Sequence, residues 1–209
     1  METRVRKILD ILNKLFLNPV APLHFSTPFE LLIATILSAQ CTDERVNKVT
    51  PALFEAANTP EKIIKLGDKK LIEYIRSTGF YNSKAKSIMG CAEAILEIFD
   101  GKVPETLEEL QKLPGVGRKT ASVVLIHAFG IPAFPVDRHV LRVANRLGLA
   151  HAKTPDETDE QLRKAIPEKL WIRSHLQLVF HGRGLCRPKP KCEICPLLPH
   201  CSEGQKRVK

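Results

Sequence analysis

The sequence predicts an all-α protein built as two helical lobes with a cleft between them. Apolar residues recur at helical spacing through most of its 209 residues, and no alternating run suggests a strand ladder. The sharpest punctuation, Ile131-Pro132 and Phe134-Pro135, falls between two strongly helical stretches and marks the passage between lobes. No internal repeat and no low-complexity linker interrupts the pattern.

The first helix is amphipathic, with Val5, Ile8, Leu12 and Leu15 on one face. Asp10, Asn13 and Lys14 break its apolar side, so no secretory signal is read there. A proline-containing loop from Asn18 to Pro28 leads to the most apolar run, Phe29 to Ala39. That run is too short to span a bilayer and reads as a buried core helix. Further helices are expected over 45–57, 69–77 and 83–99, with Thr59-Pro60 placed as an N-cap followed by proline at the first helical position. Thr106 and Glu109 stand at capping-box spacing ahead of a short helix. A helix from Arg118 carries Ala121, Val124, Leu125 and Ala128 on one face. Helices over 136–147, 158–166 and 171–180 complete the series, and Thr154-Pro155 gives a second cap-and-proline signal.

The balance of 32 Lys and Arg against 23 Asp and Glu gives a net charge of +9, which suits a polyanionic partner. Distribution matters more than the sum. Between Glu109 and Asp156 one carboxylate occurs, Asp137, among Lys112, Arg118, Lys119, Arg138, Arg142, Arg146 and Lys153. A solvated helix face would mix the two signs.

Within this basic stretch lies Leu113-Pro114-Gly115-Val116-Gly117-Arg118-Lys119-Thr120. A helix, a turn with two glycines and a second helix present successive backbone N–H groups and a helix N-terminus to an anion. A Cβ at Gly115 or Gly117 would obstruct both the turn and the approach of a phosphate. The plain alternative is a turn between packed helices. Lys119 sits in the first helical turn beside Arg118, where the positive helix end and the neighbouring cation favour the neutral amine. A neutral lysine amine forms Schiff bases at carbon electrophiles; a phosphate contact is the plainer role. Asp137 either caps the following helix or serves Lys119 as an electrostatic partner.

Four of the six cysteines crowd the C-terminal tail as Cys186, Cys192, Cys195 and Cys201, in a C-x5-C-x2-C-x5-C pattern among prolines. Read as an intracellular chain with reduced thiols, this spacing points to a metal before disulfides. Zinc and a four-iron cluster both satisfy it. Cys41 and Cys91 lie in apolar helical surroundings and are expected to be small buried hydrophobes.

The segments LPGVGRKTASVVL and FPVDRHVLRVANR, the four-cysteine tail, FELLIATILSAQCTD near the start and STGFYNSKA in the middle together resemble the helix-hairpin-helix DNA glycosylase superfamily, and within it the bacterial endonuclease III family. The likeness covers nearly the whole chain. It implies a six-helix barrel over 21–131 containing the helix-hairpin-helix at about 106–128. It also implies a discontinuous second domain, 1–20 with 132–209, around a 4Fe-4S cluster held by Cys186, Cys192, Cys195 and Cys201 in the loop 186–201. The implied activity is that of a bifunctional DNA glycosylase and abasic-site lyase removing oxidised pyrimidines from double-stranded DNA. Lys119 would be the Schiff-base nucleophile and Asp137 its assistant. Gly115, Gly117 and Arg118 would hold a phosphate, and Gln40 and Phe80 would fill the gap left by the flipped nucleotide. A cytoplasmic, nucleoid-associated monomer without membrane contact is expected.

Three positions depart from the family pattern. Five residues rather than six separate Cys186 and Cys192, Arg138 stands where threonine is common, and Phe80 where leucine is common. Adenine-removing relatives lack the hairpin lysine and carry an early-helix glutamate, which the stretch after Glu30 does not supply. Relatives removing oxidised guanine usually lack the cysteine tail. The alternative from another class is a non-catalytic DNA-binding module with a structural metal.

Overall fold

Threonines set several of the helix starts in the computed structural model, which describes residues 2–208. Thr27, Thr42, Thr59 and Thr154 each accept a hydrogen bond from the backbone N–H three residues on, satisfying a donor that the first helical turn leaves open. Among the described residues every regular element is helical. The chain divides into two compact units, Ala21–Ile131 and Met1–Val20 with Pro132–Lys209.

The first of these holds six helices: α2 (Pro28–Leu37), α3 (Asp43–Ala56), α4 (Pro60–Ile75), α5 (Tyr81–Ile98), α6 (Leu107–Leu110) and α7 (Arg118–Val124). Every residue of α2 from Phe29 to Leu37 is buried, as its run without a polar face requires. The helix packs against α3, α5 and α7. Its two polar members are satisfied locally. Glu30 accepts from the Ser26 N–H at 2.6 Å, and Thr35 donates to the Leu31 carbonyl at 2.7 Å. Gly67, at φ +73°, breaks α4 into arms over 60–66 and 68–75, which is why the sequence pattern shows a cap at Thr59 and a separate helix from Lys69. The last helix runs on into a π turn, Leu125–Phe129.

The other unit holds α1 (Thr3–Leu15), α8 (Arg138–Leu147), α9 (Pro155–Ala165), α10 (Trp171–Arg183) and α11 (Ser202–Val208). Its core joins Ile8 and Leu12 of α1, Val140, Val143 and Leu147 of α8, Leu162 of α9 and Leu178 of α10, with Leu197 from the cysteine loop. Helices α8 and α10 approach closely because Gly182 has no side chain; a Cβ there would lie 2.9 Å from the His139 Cβ. The Arg4 guanidinium ties α1 to the far end of α8, donating to the carbonyls of Leu147, Gly148 and His200.

The short helix before the hairpin differs from its expected capping. Thr106 accepts from the Glu109 N–H, but its hydroxyl also donates to the Glu109 carboxylate at 2.8 Å, so that carboxylate turns to the hydroxyl. Cys91 is fully buried as expected, and burial pushes its thiol up to about 12. Cys41 is half-exposed, because it lies past the end of α2 and not within its buried run.

Candidate functional site

Between α6 and α7 the chain turns through Leu113 to Gly117, with the Val116 N–H bonded to the Leu113 carbonyl at 3.1 Å. Gly115 adopts φ +79°, open to glycine at no steric cost. It also has no room for a side chain, since a Cβ would meet the Ser87 Cβ on α5 at 2.6 Å. One turn along α5, Gly90 faces Pro114 with a Cβ-to-Cγ distance of 3.2 Å were a Cβ present. The hairpin is thus seated directly on α5. Gly117 is the N-cap residue of α7 and brings no side chain to cover the N–H groups of the first turn. Lys119, the second residue of that turn, is exposed, and Arg118 is half-buried.

Two further predicted residues lie beside this hairpin. Gln40 and Phe80 both have left-handed backbone conformations, at φ 51° and 48°. Both side chains are exposed, Phe80 to 65 %. They share one surface pocket with Ile36, Ala39, Ser83, Lys84, Ser87 and Gly115. The structure therefore brings Gln40, Phe80 and Gly115 together within the unit that carries Lys119.

Asp137 belongs to the other unit, where it is the N-cap of α8. Its Oδ1 accepts from the N–H groups of His139 and Val140, both at 2.8 Å. Both capping bonds fall on one carboxylate oxygen. Burial, ahead of the opposing Asp137 charge, holds the neighbouring His139 ring below the ordinary histidine range.

Cys186, Cys192, Cys195 and Cys201 line one cavity together with Arg146, His181, Leu198 and Arg207. None of the four is in a disulfide. Burial and then the neighbouring cysteines raise the thiols of Cys192 and Cys195 above their usual range. A set of four sulfur donors in one cavity suits a metal group, which binds them as thiolates. Among the described residues no three His, Cys, Asp or Glu side chains gather as they would about a single ion.

Charge alone assigned Arg142 and Arg146 to a basic field facing a polyanion. The structure uses them otherwise. Arg142 donates to the carbonyls of Cys186 at 3.1 Å and Gly182 at 2.9 Å. Arg146 donates to the carbonyls of Arg187 at 2.6 Å and Pro188 at 3.1 Å, and approaches the Cys186 sulfur at 3.6 Å. These are staples of the cysteine loop. Their signal was available: they are four residues apart and share one stripe of α8.

Residues 33–168 match the family model described as HhH-GPD superfamily base excision DNA repair protein. The chain is 50% identical over 206 residues to endonuclease III of a Synechocystis species, spanning 97% of this chain and 93% of that protein. It is 45% identical over 204 residues to endonuclease III of Escherichia coli, spanning 96% and 97%. Among solved structures, a trapped endonuclease III–DNA covalent intermediate matches with a TM-score of 0.94 and 45% identity over the full length of both chains. A thermostable thymine-DNA glycosylase matches with a TM-score of 0.85 and 25% identity over 97% of each chain. The hairpin, the cysteine-lined cavity and these near-full-length likenesses agree, and the chain belongs to the endonuclease III family of the HhH-GPD superfamily of base excision DNA repair proteins.

Proposed function

We propose that the protein is a bifunctional DNA glycosylase and abasic-site lyase that removes oxidised pyrimidines from duplex DNA. The observation that carries this reading is the full-length likeness to an endonuclease III trapped covalently on DNA. The bond to the base is hidden while the base is stacked, so the nucleotide must first be flipped out. In the proposed sequence the Lys119 amine attacks C1′, the glycosidic bond breaks, and the base leaves with a proton. Opening of the sugar ring at C1′–O4′, with the proton passing from the amine to O4′, gives the imine; this makes the C2′ proton acidic, and its loss breaks the C3′–O bond and nicks the strand on the 3′ side. Asp137 offers its carboxylate to stabilise positive charge developing on the sugar or to carry protons. Gly115, Gly117 and Arg118 hold a phosphate without reading sequence. Gln40 and Phe80 occupy the space vacated in the stack, which lowers the cost of unstacking.

The four cysteines are proposed as ligands of a 4Fe-4S cluster, and the four sulfurs lining one cavity, none in a disulfide, support a metal group there. The cluster when bound would tie the loop 186–201 by four metal–sulfur bonds. Base removal is assigned to the side chains of the protein. Purified protein with a cluster absorbs in the visible and is brown, whereas a zinc protein is colourless.

The test of function is strand cleavage on a duplex with one oxidised thymine, read with and without alkali. Equal cleavage in both supports the bifunctional enzyme. Cleavage only after alkali means base removal without lyase chemistry. No cleavage under either condition, with duplex binding retained, makes the protein a binding module.

A further inference from the structure

Gln40 and Phe80 pose a problem of backbone energetics. Residues with a Cβ avoid the left-handed region unless the surroundings impose it, and such outliers gather where function needs a fixed conformation. Among the described non-glycine residues only these two and Asp100 have positive φ. Both also face the same pocket, and both side chains are exposed, so their own packing does not hold the backbone in place.

A buried cation lies beside both turns. Lys84, in the second turn of α5, is 5 % exposed. Its Nζ donates to the Leu37 carbonyl at 2.8 Å and to the Thr78 carbonyl at 2.9 Å. Leu37 is the last residue of α2, three before Gln40; Thr78 ends a 3-10 turn, Arg76–Thr78, two before Phe80. Each is a carbonyl that a helix end leaves without an internal partner. The Lys84 backbone N–H also bonds the Phe80 carbonyl at 3.0 Å. One residue therefore ties both turns to α5, and Ser87 on the same helix carries the hairpin at Gly115. Burying an ammonium is costly unless hydrogen bonds compensate, and burial pulls Lys84 below the ordinary lysine range. An apolar side chain here would leave both carbonyls without this donor, so the ammonium joins the two helix ends.

We propose that Lys84 is a positioning residue: its buried ammonium bridges the Gln40 and Phe80 turns and fixes the left-handed backbone from which the two side chains enter the duplex. The proposal rests on the gap-filling roles given to Gln40 and Phe80 above. It requires that Lys84 act through them and not on the chemistry at Lys119.

Single-turnover strand cleavage tests this on two substrates: a duplex with one oxidised thymine, and a single strand with one abasic site. The single strand has no stack to prise open and no opposite base. The readout is the ratio of the two rates, so a general loss of folded protein cancels. Gln40→Ala, Phe80→Ala and Lys84→Met are each expected to lower the ratio by about tenfold or more, the scale of a misplaced positioning group. In the Phe80→Ala background, adding Lys84→Met should lower it by less than it does in the parent, because a group acting through Phe80 loses part of its effect once Phe80 is gone. If Lys84→Met yields no folded protein, Lys84→Gln, a shorter donor, is read in the same way. A parent ratio for Lys84→Met while Gln40→Ala and Phe80→Ala lower it overturns the inference and leaves the gap-filling roles standing. Parent ratios for Gln40→Ala and Phe80→Ala overturn both. Full additivity in the double variant makes Lys84 a structural residue only.

Discussion

Asp137 caps α8 with one oxygen, and replacing the carboxylate by its amide separates that duty from catalysis. Asp137→Asn keeps an oxygen where Oδ1 accepts from His139 and Val140 at 2.8 Å. Asparagine and aspartate are about equal as N-caps, so what α8 loses is the anion at its positive end, about 0.3–1 kcal/mol. For a chain of this length that corresponds to a fall in thermal midpoint of roughly 1–4 °C. Asp137→Ala removes both accepted bonds and costs about 1–2 kcal/mol. Catalysis should order the variants differently. Loss of the charge removes electrostatic or proton-transfer assistance, worth roughly 10²–10⁴-fold in rate, whether asparagine or alanine replaces it. The assay is single-turnover base release from a duplex with one oxidised thymine, alongside thermal unfolding of each variant. The account expects Asp137→Asn to be nearly as stable as the parent yet at least about a hundredfold slower. If Asp137→Asn keeps the parent rate and Asp137→Ala loses rate only in step with stability, the carboxylate is a cap and nothing more.

Gly115→Ala should be severe for its size. Left-handed alanine costs about 1–2 kcal/mol, and the added Cβ falls 2.6 Å from a Ser87 Cβ fixed on α5, so a midpoint drop of roughly 5–10 °C with weakened duplex binding is expected. Adding Ser87→Gly should recover part of the stability, since it relieves the contact and leaves the φ strain; calorimetry on the two variants decides it. Acid sensitivity should trace partly to His127, which burial pushes down to about 4. The unfolded chain takes up that proton near pH 6.5 and the folded chain does not, so the stability this group lends is complete above pH 6.5. It is lost as pH falls towards 4, by up to about 1.4 kcal/mol per pH unit. Denaturant titrations of His127→Gln should give a shallower decline over that window, and an unchanged slope would refute the assignment.

What was legible in the sequence followed from local rules. Thr59-Pro60 and Thr154-Pro155 began helices as written, because cap and proline geometry depend on a few neighbouring residues. The buried run of α2 and Gly115 of the hairpin were equally local signals, whereas Gly117, at φ −87° with open space where a Cβ would lie, does not need glycine for the turn. What was not legible depends on partners distant in sequence. Lys84 reads as one more basic residue on a mixed helix until Leu37, 47 positions earlier, places a carbonyl against it. Arg142 and Arg146 read as charge for a polyanion until the loop after α10 folds back onto them. Cys41 reads as part of an apolar helix that in fact ends at Leu37. Long polar side chains bond whatever the fold brings within reach, and hydrophobic periodicity carries no record of that.

The central claim is that the Lys119 amine makes a covalent bond to the sugar. Borohydride reduction during reaction with a duplex carrying one oxidised thymine tests it, with the parent and Lys119→Ala run side by side. The account expects a protein–DNA adduct from the parent, stable to denaturing electrophoresis, and none from Lys119→Ala. An adduct of equal yield from Lys119→Ala, or base release by the parent without any adduct, would contradict it.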